Sequence, residues 1–246
     1  MKDKKISIII PVYKAEGFIV KNLIEMKEAI AKVFPNHEII AVIDGSPDGS
    51  YKQASKVSGI KVVGYKKNMG KGHALQYGFK FVTGDYVTFI DCDMDIHPQQ
   101  LKNFIPYMTT ADMVIGSKRH PFSKINYPFI RKVLSRGFQL YTWLILGMNL
   151  RDTQTGLKLI KKEVLDIIMP MILVKRYAFD AELCFLAHKH GFRIVEAPIS
   201  IEYQFNGSNV KGGTIFTMAL SLLAIRYRYS ILHYYQKEYQ KARFNK

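Results

Sequence analysis

Cysteine and long apolar runs are scarce in this chain of 246 residues. Its two cysteines, Cys92 and Cys184, are too few for a disulfide scaffold, and no Cys-x-x-Cys or Cys/His spacing suggests zinc. The longest nearly uncharged stretch, residues 212–225, is shorter than the roughly 20 residues that a membrane-spanning helix needs. The first apolar run, Ile6–Val12, is too short for a secretory signal. We therefore expect a cytoplasmic protein with free thiols and no spanning helix.

Acidic residues are few in comparison with basic ones. The chain has 36 Lys and Arg against 20 Asp and Glu, which gives a formal net charge of +16. Such a charge favours anionic partners, among them nucleic acid, acidic lipid and phosphorylated small molecules. No aromatic RNP stretch or helix-turn-helix pattern is visible, so we expect no nucleic-acid partner. The apolar fraction of 48% excludes a disordered chain, and the length suits one large domain.

Short β-branched runs alternate with amphipathic segments along the N-terminal half. The pattern predicts strands over residues 6–12, 38–43, 61–65 and 86–90, and helices over residues 18–34, 50–57 and 71–82. This alternation predicts an α/β fold with a mainly parallel central sheet flanked by helices. The second half is less regular, with strands predicted at 112–117 and 193–201 and helices at 130–146, 161–168, 180–190 and 214–229.

Three carboxylates follow the fourth predicted strand. In open parallel sheets, ligands bind beyond the carboxyl ends of the strands. Asp91, Asp93 and Asp95 occupy such a position, and they repel one another unless a cation is present. Hard ions such as Mg²⁺ or Mn²⁺ prefer these oxygen ligands together with substrate phosphates. The D-x-D spacing alone also occurs in solvated turns, so its position after a strand is what favours a metal site.

Two further loops combine turn residues with possible ligand groups. Residues 44–50, DGSPDGS, suit a surface turn as well as a nucleotide-binding loop. Residues 68–74, NMGKGHA, open a helix that could receive phosphate, although the glycines could simply permit the turn. The spacing of a Walker phosphate loop is absent.

Taken in order, these loops resemble a known family. The blocks SIIIPVYKAEG, VIDGSPDGS, NMGKGHALQYGF, FIDCDMDIHP, GSKRH, RDTQTGLKLI, FDAELCFLAHKHGF and AIRYR resemble those of family 2 glycosyltransferases of GT-A fold. The resemblance is greatest to the dolichyl-phosphate mannose and glucose synthases and their bacterial polyprenyl-phosphate relatives. It runs from Ile6 to about Arg228 and implies a single glycosyltransferase domain. The nucleotide-binding half would cover residues 1–118, the acceptor side 119–212, and an amphipathic helix with a basic tail 213–246.

The resemblance also implies roles for individual residues. The nucleotide-sugar would be held by Pro11, Tyr13, Glu16, Asp44, Lys71, Asp91, Asp93, Arg119 and Glu182. Asp91 and Asp93 would bind Mg²⁺ or Mn²⁺, with Asp95 as an extra ligand, and Arg119 would contact phosphate. Asp152 would lie near the acceptor, either as the catalytic base or as a positioning residue. The acidic residue of the FDAE block, Glu182, would order the sugar pocket.

The chain departs from the family pattern at three places. Ile43 replaces the first residue of the usual Asp-Asp pair, and Lys14 stands where the family often has Asn. Residues 204–210 lack the Arg and Lys that are common in the matching stretch, so the base that binds the acceptor phosphate is left open.

The implied reaction moves a hexose to a polyprenyl or dolichyl phosphate, with UDP-glucose the first donor to test and GDP-mannose the second. A soluble or polysaccharide acceptor is the alternative. A nucleotidyltransferase would carry a Gly-rich loop after its first strand, whereas this chain has Pro-Val-Tyr. The helices at 130–146 and 214–229 mix apolar and basic residues, among them Arg131, Lys132, Arg136 and Arg226. They suit either core helices or peripheral association with an anionic membrane, to which the basic tail 226–246 would add.

Overall fold

A computed structural model describes residues 4–125, 129–201 and 212–244. Its strands are β1 (Ile6–Val12), β2 (His37–Asp44), β3 (Lys61–Tyr65), β4 (Tyr86–Phe89), β5 (Met113–Ser117), β6 (Lys124–Ile125), β7 (Lys158–Lys161), β8 (Ile194–Pro198) and β9 (Ser200–Ile201). Its α-helices are α1 (Ile19–Val33), α2 (Ser50–Ala54), α3 (Lys71–Phe79), α4 (Phe129–Leu146), α5 (Lys162–Ile168), α6 (Phe179–Lys189), α7 (Gly212–Ser230) and α8 (Tyr234–Phe244). Short 3₁₀ helices cover Pro98–Asn103, Ile105–Thr109 and Met169–Met171.

The central sheet has seven strands in the order β3-β2-β1-β4-β7-β5-β8. All pairings are parallel except those of β7, which runs antiparallel to both β4 and β5. The predicted mainly parallel α/β fold is therefore confirmed. The sequence analysis missed β7. Because Lys158 at the start of β7 pairs with Phe89 at the end of β4, the segment that precedes β7 reaches the sheet beside the loop that follows β4.

Each face of the sheet supports its own apolar layer. Ile9 and Val42 point to the layer that contains α3, α5 and α6, whereas Ile8 and Ile10 point to the layer that contains α1. The alternation follows from the two-residue period of a strand. Helix α1 buries Ile19, Leu23, Met26 and Ile30 in that second layer, as the 4-3-4 spacing of these residues predicts.

Hydrogen bonds to a buried carboxylate join the C-terminal helices to the core. Glu182 in α6 accepts hydrogen bonds from the Arg228 guanidinium of α7 at 3.0 Å and from the hydroxyl of Tyr235 in α8, which is fully buried. It also accepts from the backbone N–H groups of Leu173 and Val174, at 3.1 and 2.7 Å. The prediction of a solvated or lipid-bound tail is therefore wrong for Arg228 and for the start of α8, because both face the protein interior.

Helices α4 and α7 pack together and share an exposed apolar surface. We call this the α4–α7 face; its exposed large side chains are Leu140, Trp143 and Leu144 of α4 and Phe216, Leu220, Leu223 and Tyr227 of α7. The inner sides of the same helices are buried, for example at Leu146 and Leu222. The core interpretation thus holds for the inner sides of these helices, and the membrane interpretation stays a prediction for their exposed sides. Arg131 and Lys132 have side chains outside the described ones, and residues 204–210 lie outside the described residues.

Within the described ranges, no single helix is long and apolar enough to cross a membrane. Residues 213–230 and 234–241 meet the length and composition criteria only as a pair, and the two helices are bent by 63° at their junction.

Removal of the Tyr235 hydroxyl should destabilise the protein. Tyr235→Phe deletes a hydrogen bond to a buried carboxylate, which contributes about 1.5–3 kcal/mol to the free energy of unfolding. Tyr234→Phe is the matched control, because the neighbouring ring is only partly buried, and it should change that free energy by less than about 0.5 kcal/mol. Urea unfolding of both variants measures the difference. Equal stability of the two variants would contradict the role given to Glu182.

Candidate active site

The loop after β4 places a carboxylate against the first residue of α3. Asp91 Oδ1 lies 2.7 Å from Lys71 Nζ, and Asp180 Oδ2 lies 3.9 Å from the same nitrogen. Burial alone would lower the pKa of Lys71, but the charges of Asp91 and Asp180 more than offset it and hold that pKa above its ordinary value. Lys71 is therefore a cation fixed beside the first Asp of the D-x-D motif.

Negative charge dominates the surroundings of the second Asp of the motif. Desolvation raises the pKa of Asp93, and the neighbouring Asp91 and Asp95 raise it further, to about 6. The backbone N–H of Asp95 donates to Asp93 Oδ1 at 3.2 Å, which brings the two residues into one tight turn. Carboxylates that repel in this way attract a cation.

The donor atoms of this loop suit Mg²⁺ or Mn²⁺. Both ions favour carboxylate oxygens, and Mg²⁺ is usually held by one or two carboxylates together with substrate phosphates. The Lys71 ammonium already occupies a cation position against Asp91. Among the described residues, no group of three or more His, Cys, Asp or Glu side chains is arranged to hold a metal. The structure thus fits a cation shared with a phosphate ligand better than one enclosed by Asp91, Asp93 and Asp95 together.

Asp44, at the end of β2, shapes the loop that leads to Lys71. Its carboxylate accepts hydrogen bonds from the Tyr65 hydroxyl at 2.8 Å, the Asn68 amide at 2.9 Å, and the backbone N–H groups of Met69 and Gly70 at 2.7 and 2.9 Å. Gly70 has a φ of +97°, a conformation that glycine adopts without strain. The role of Asp44 in nucleotide binding stays a prediction; its described contacts are all within the chain.

The loops after β1 and β2 hold each other in place. The backbone N–H of Lys14 donates to Ser46 Oγ at 2.8 Å, and the N–H of Gly49 donates to the Glu16 carboxylate at 2.9 Å. Lys14 adopts a φ of +51°, which is unusual for a residue with a side chain. The Tyr13 ring is exposed and Pro11 is partly exposed, so both are accessible to a ligand, as the resemblance implies.

Asp152 lies under the loop after β5 and is almost fully buried. It accepts hydrogen bonds from the Thr155 hydroxyl at 2.7 Å and from the Lys118 backbone N–H at 3.1 Å, and Lys118 Nζ lies 3.4 Å away. Burial raises the pKa of Asp152, but Lys118 and these hydrogen bonds outweigh burial and leave the pKa below its ordinary value. Asp152 is therefore a stable carboxylate at neutral pH.

Two adjacent basic residues after β5 have different surroundings. The Arg119 guanidinium donates to the carbonyl oxygen of Arg151 at 2.8 Å and to the carbonyl oxygen and hydroxyl of Ser135 in α4, at 2.6 and 2.8 Å. Lys118 instead lines a cavity of about 160 Å³ beside Asp91 and Asp95. The sequence analysis chose Arg119 from the GSKRH block and missed Lys118. Both residues lie in a turn after β5, where the alternation of a strand no longer predicts side-chain direction, so no signal in the sequence separates them.

One residue that lines the same cavity has an unsatisfied side-chain amide. Gln154 and Thr155 line it, and the buried Nε2 of Gln154 has no hydrogen-bond partner among the described residues. A buried donor without a partner leaves an unmet hydrogen bond that a ligand oxygen can accept. Gln154 lies in the DTQTG block and was not singled out from the sequence.

Helix α6 directs its two acidic residues to different places. Asp180 faces the site, near Lys71. The described partners of Glu182 all belong to the C-terminal helices and residues 173–174. Residues two positions apart on an α-helix differ by about 200° in direction. Asp180 and Glu182 therefore cannot share one face of α6. The structure therefore does not bring Glu182 together with Asp91 and Lys71.

Gly156 leaves room for the Asp91 carboxylate. A Cβ added at Gly156 would lie 2.4 Å from Asp91 Oδ2 and 3.4 Å from Lys71 Nζ. If this loop binds a divalent cation together with a nucleotide, as the sequence predicts, Gly156→Ala should displace Asp91 and weaken binding of Mn²⁺ with UDP or GDP at least roughly tenfold, within the range for residues in direct contact. Gly137→Ala, where the added atom meets nothing within 4 Å, is the control. Isothermal titration of both variants measures the effect, and unchanged affinity of Gly156→Ala would contradict this placement of Asp91.

Comparisons with known proteins identify the family of the chain. Residues 7–169 match the family model described as glycosyl transferase family 2. The chain is 30% identical over 221 residues to an undecaprenyl-phosphate mannosyltransferase of Micrococcus luteus, covering 86% of this chain and 89% of that protein. It is 27% identical over 246 residues to a dolichyl-phosphate beta-glucosyltransferase of Dictyostelium discoideum, covering 91% and 74%.

A solved structure shares the fold. Glucosyl-3-phosphoglycerate synthase from Mycobacterium tuberculosis, crystallised with Mn²⁺, UDP and phosphoglyceric acid, superposes with a TM-score of 0.70 at 20% identity, covering 91% of this chain and 79% of that one. The family match extends over most of the chain and includes β1 to β5, β7 and the D-x-D loop. The chain therefore belongs to glycosyl transferase family 2 and is a glycosyltransferase of GT-A fold.

Proposed function

We propose that this enzyme transfers a hexosyl group from a nucleotide-diphospho-sugar to a polyprenyl or dolichyl phosphate. The observation that carries the proposal is the cluster of Lys71, Asp91 and Asp93 at the carboxyl ends of the parallel strands. It lies in a chain whose similar relatives include both an undecaprenyl-phosphate mannosyltransferase and a dolichyl-phosphate beta-glucosyltransferase.

The departing group of such a donor is a nucleoside diphosphate, on which negative charge builds as the anomeric bond breaks. Asp91 and Asp93 would hold Mg²⁺ or Mn²⁺ together with the diphosphate, and the role of Asp95 as an extra ligand stays a prediction. The ion would neutralise that charge as a Lewis acid. Lys71 adds a fixed positive charge at the same place. The M. tuberculosis synthase that shares the fold was crystallised with Mn²⁺ and UDP, which supports a metal for this chain.

Asp152 suits a positioning role better than that of a base. A phosphate acceptor has a second pKa near 6 and is already largely ionised at neutral pH, so little proton removal is needed. Asp152 has a lowered pKa and accepts several hydrogen bonds, which makes it a weak base. It holds Lys118 at the wall of the cavity, where the ammonium can meet an acceptor phosphate. Arg119, turned toward Ser135, would contact phosphate at the edge of α4.

The donor is proposed to be UDP-glucose first and GDP-mannose second. Relatives named for glucosyl and for mannosyl transfer are both among the similar proteins, so the sugar is a matter for experiment. The cavity beside Asp91, with the free amide N–H of Gln154, is our candidate for the hexosyl group. A soluble acceptor is the second candidate, favoured by the phosphoglyceric acid in the neighbouring structure.

The α4–α7 face is proposed to rest on an anionic membrane surface. It carries seven exposed large hydrophobic side chains on two packed helices, and Arg136 and Arg226 are exposed on the same helices. Such a combination of apolar and basic residues binds at a bilayer interface. A lipid-linked acceptor would be met there, and the enzyme would be a peripheral protein of the cytoplasmic side.

A panel of labelled nucleotide sugars with phosphorylated polyprenols tests the function. Wild-type enzyme with Mg²⁺ or Mn²⁺ should transfer one hexose, and Asp91→Asn and Asp93→Asn should each reduce transfer by at least roughly 100-fold, as expected for loss of a charge-stabilising ligand. EDTA should have the same effect on wild-type enzyme. Transfer to water-soluble acceptors alone would replace the lipid-phosphate proposal with the second candidate.

Asp152→Asn should reduce turnover far more than donor affinity. We expect kcat to fall roughly 100-fold, the scale of a misplaced reacting group, while the donor Kd changes less than about threefold. Asp166→Asn, which alters a partly exposed pair in α5, should leave both quantities near their wild-type values. Calorimetry gives the donor Kd. A large loss of donor affinity would instead assign Asp152 to the nucleotide site.

Membrane association should depend on the α4–α7 face and on salt. Each basic residue near an anionic bilayer contributes on the order of 1 kcal/mol, over a Debye length of about 8 Å at physiological ionic strength and about 3 Å at 1 M. Wild-type protein should sediment with anionic vesicles more than with neutral ones, and 1 M salt should release it.

A double variant, Leu144→Asp with Phe216→Asp, should lose at least roughly tenfold in anionic-vesicle binding, because it places two charges against the bilayer. Tyr51→Asp, at an exposed aromatic residue of α2, is the control. Absence of the wild type from every pellet, with full activity on a water-soluble acceptor, would exclude the membrane proposal.

A further inference from the structure

A fully buried lysine lies behind the site and has no part in the reaction described above. Lys158, at the start of β7, has no exposed side-chain surface and pairs with Phe89 of β4. Its Nζ donates to Asp180 Oδ1 at 2.6 Å and to the carbonyl oxygen of Thr155. Burial of an ion pair carries a large desolvation penalty, and apolar replacements are often at least as stable. Stability of the fold therefore does not account for this pair.

The pair continues into the site as a line of alternating charges. Asp180 Oδ2 lies 3.9 Å from Lys71 Nζ, and Lys71 Nζ lies 2.7 Å from Asp91 Oδ1. The order from the interior to the cleft is Lys158, Asp180, Lys71, Asp91. Four separate elements contribute one residue each, and the formal charges sum to zero. Asp91 and Asp180 thus share the ammonium of Lys71, with Asp91 as the nearer of the two.

We propose that Lys158 and Asp180 are positioning residues that set how firmly Lys71 holds Asp91, and thereby how readily a divalent cation reaches Asp91. This inference rests on the proposed metal-dependent function. A cation at Asp91 must weaken the contact with Lys71, and Asp180 offers that ammonium a second carboxylate. Lys158 takes up part of the charge of Asp180 and so limits how strongly Asp180 attracts Lys71.

Removal of the buried pair as a unit gives the clearest test. The double variant Lys158→Met with Asp180→Asn leaves no lone buried charge and does not change the net charge of the protein. Lys71 then has Asp91 as its remaining close carboxylate, so the contact tightens. We expect Mn²⁺ in the presence of UDP to bind roughly tenfold more weakly, within the coupling seen between neighbouring charged groups. Electron paramagnetic resonance of free Mn²⁺ measures this affinity without turnover.

The Lys71→Met background separates positioning from general disruption. If the pair acts through Lys71, the same double substitution made in Lys71→Met should change Mn²⁺ affinity by less than about twofold, as for independent sites. A merely structural effect would persist in that background. Lys161→Met with Asp112→Asn, which removes a partly exposed pair at the other end of β7, is the matched control and should leave Mn²⁺ affinity unchanged.

The single variant Lys158→Met should change the affinity for Mn²⁺ in the opposite direction. It frees the full charge of Asp180 to draw Lys71 away from Asp91, so Mn²⁺ with UDP should bind more tightly than in the wild type. This variant decides the question if the double variant does not fold. Unchanged or weaker affinity in Lys158→Met, or an unchanged affinity in the folded double variant, overturns the inference alone. Failure of the wild type to bind Mn²⁺ with either UDP or GDP overturns the proposed metal as well.

Discussion

The ion pair between Lys71 and Asp91 joins the first residue of α3 to the end of β4, and the rest of the cleft is arranged around it. Asp44 shapes the loop that delivers Lys71, Gly156 leaves space for the other oxygen of Asp91, and Asp180 shares the ammonium. A partly buried charge must be paired or it shifts its pKa. Asp44, Gly156 and Asp180 therefore each act on the position or the pairing of the Lys71 and Asp91 charges.

The pairing of charges also distinguishes the cleft from the α4–α7 face. Around the cleft, carboxylates and ammonium groups alternate at short distances, and the pair of Asp152 and Lys118 is a second example. The α4–α7 face, in contrast, exposes apolar side chains with few charges between them. Glu182 connects the two sides, because it fastens α7 and α8 to the helix that also carries Asp180. The proposed reaction between a nucleotide-sugar and a lipid phosphate would use both kinds of surface.

Much of the sheet could be predicted from sequence, because buried parallel strands are continuous β-branched runs such as Ile6–Val12. Strand β7 could not, since its four residues, KLIK, carry lysine at both ends, and the buried Lys158 has its partners, Asp180 and the carbonyl oxygen of Thr155, elsewhere in the chain. Helix α8 resembles a solvated basic tail except for Tyr235. The motif blocks were found, but which residue of each block faces the cleft depends on side-chain direction. For this reason the sequence led to Arg119 where Lys118 lines the cavity, and to Glu182 where Asp180 faces the site.

The antiparallel insertion of β7 also determines the order in which the sheet can be completed during synthesis. Strands β1 to β4 pair only with one another and with β7, so a nascent chain can assemble four strands early and hold β4 as an open edge. Strand β5 has both of its partners, β7 and β8, still to come when it leaves the ribosome. Unpaired edges of this kind are sites of misassembly. The interval between residues 117 and 158 is therefore the part of translation in which a chaperone would protect this enzyme most.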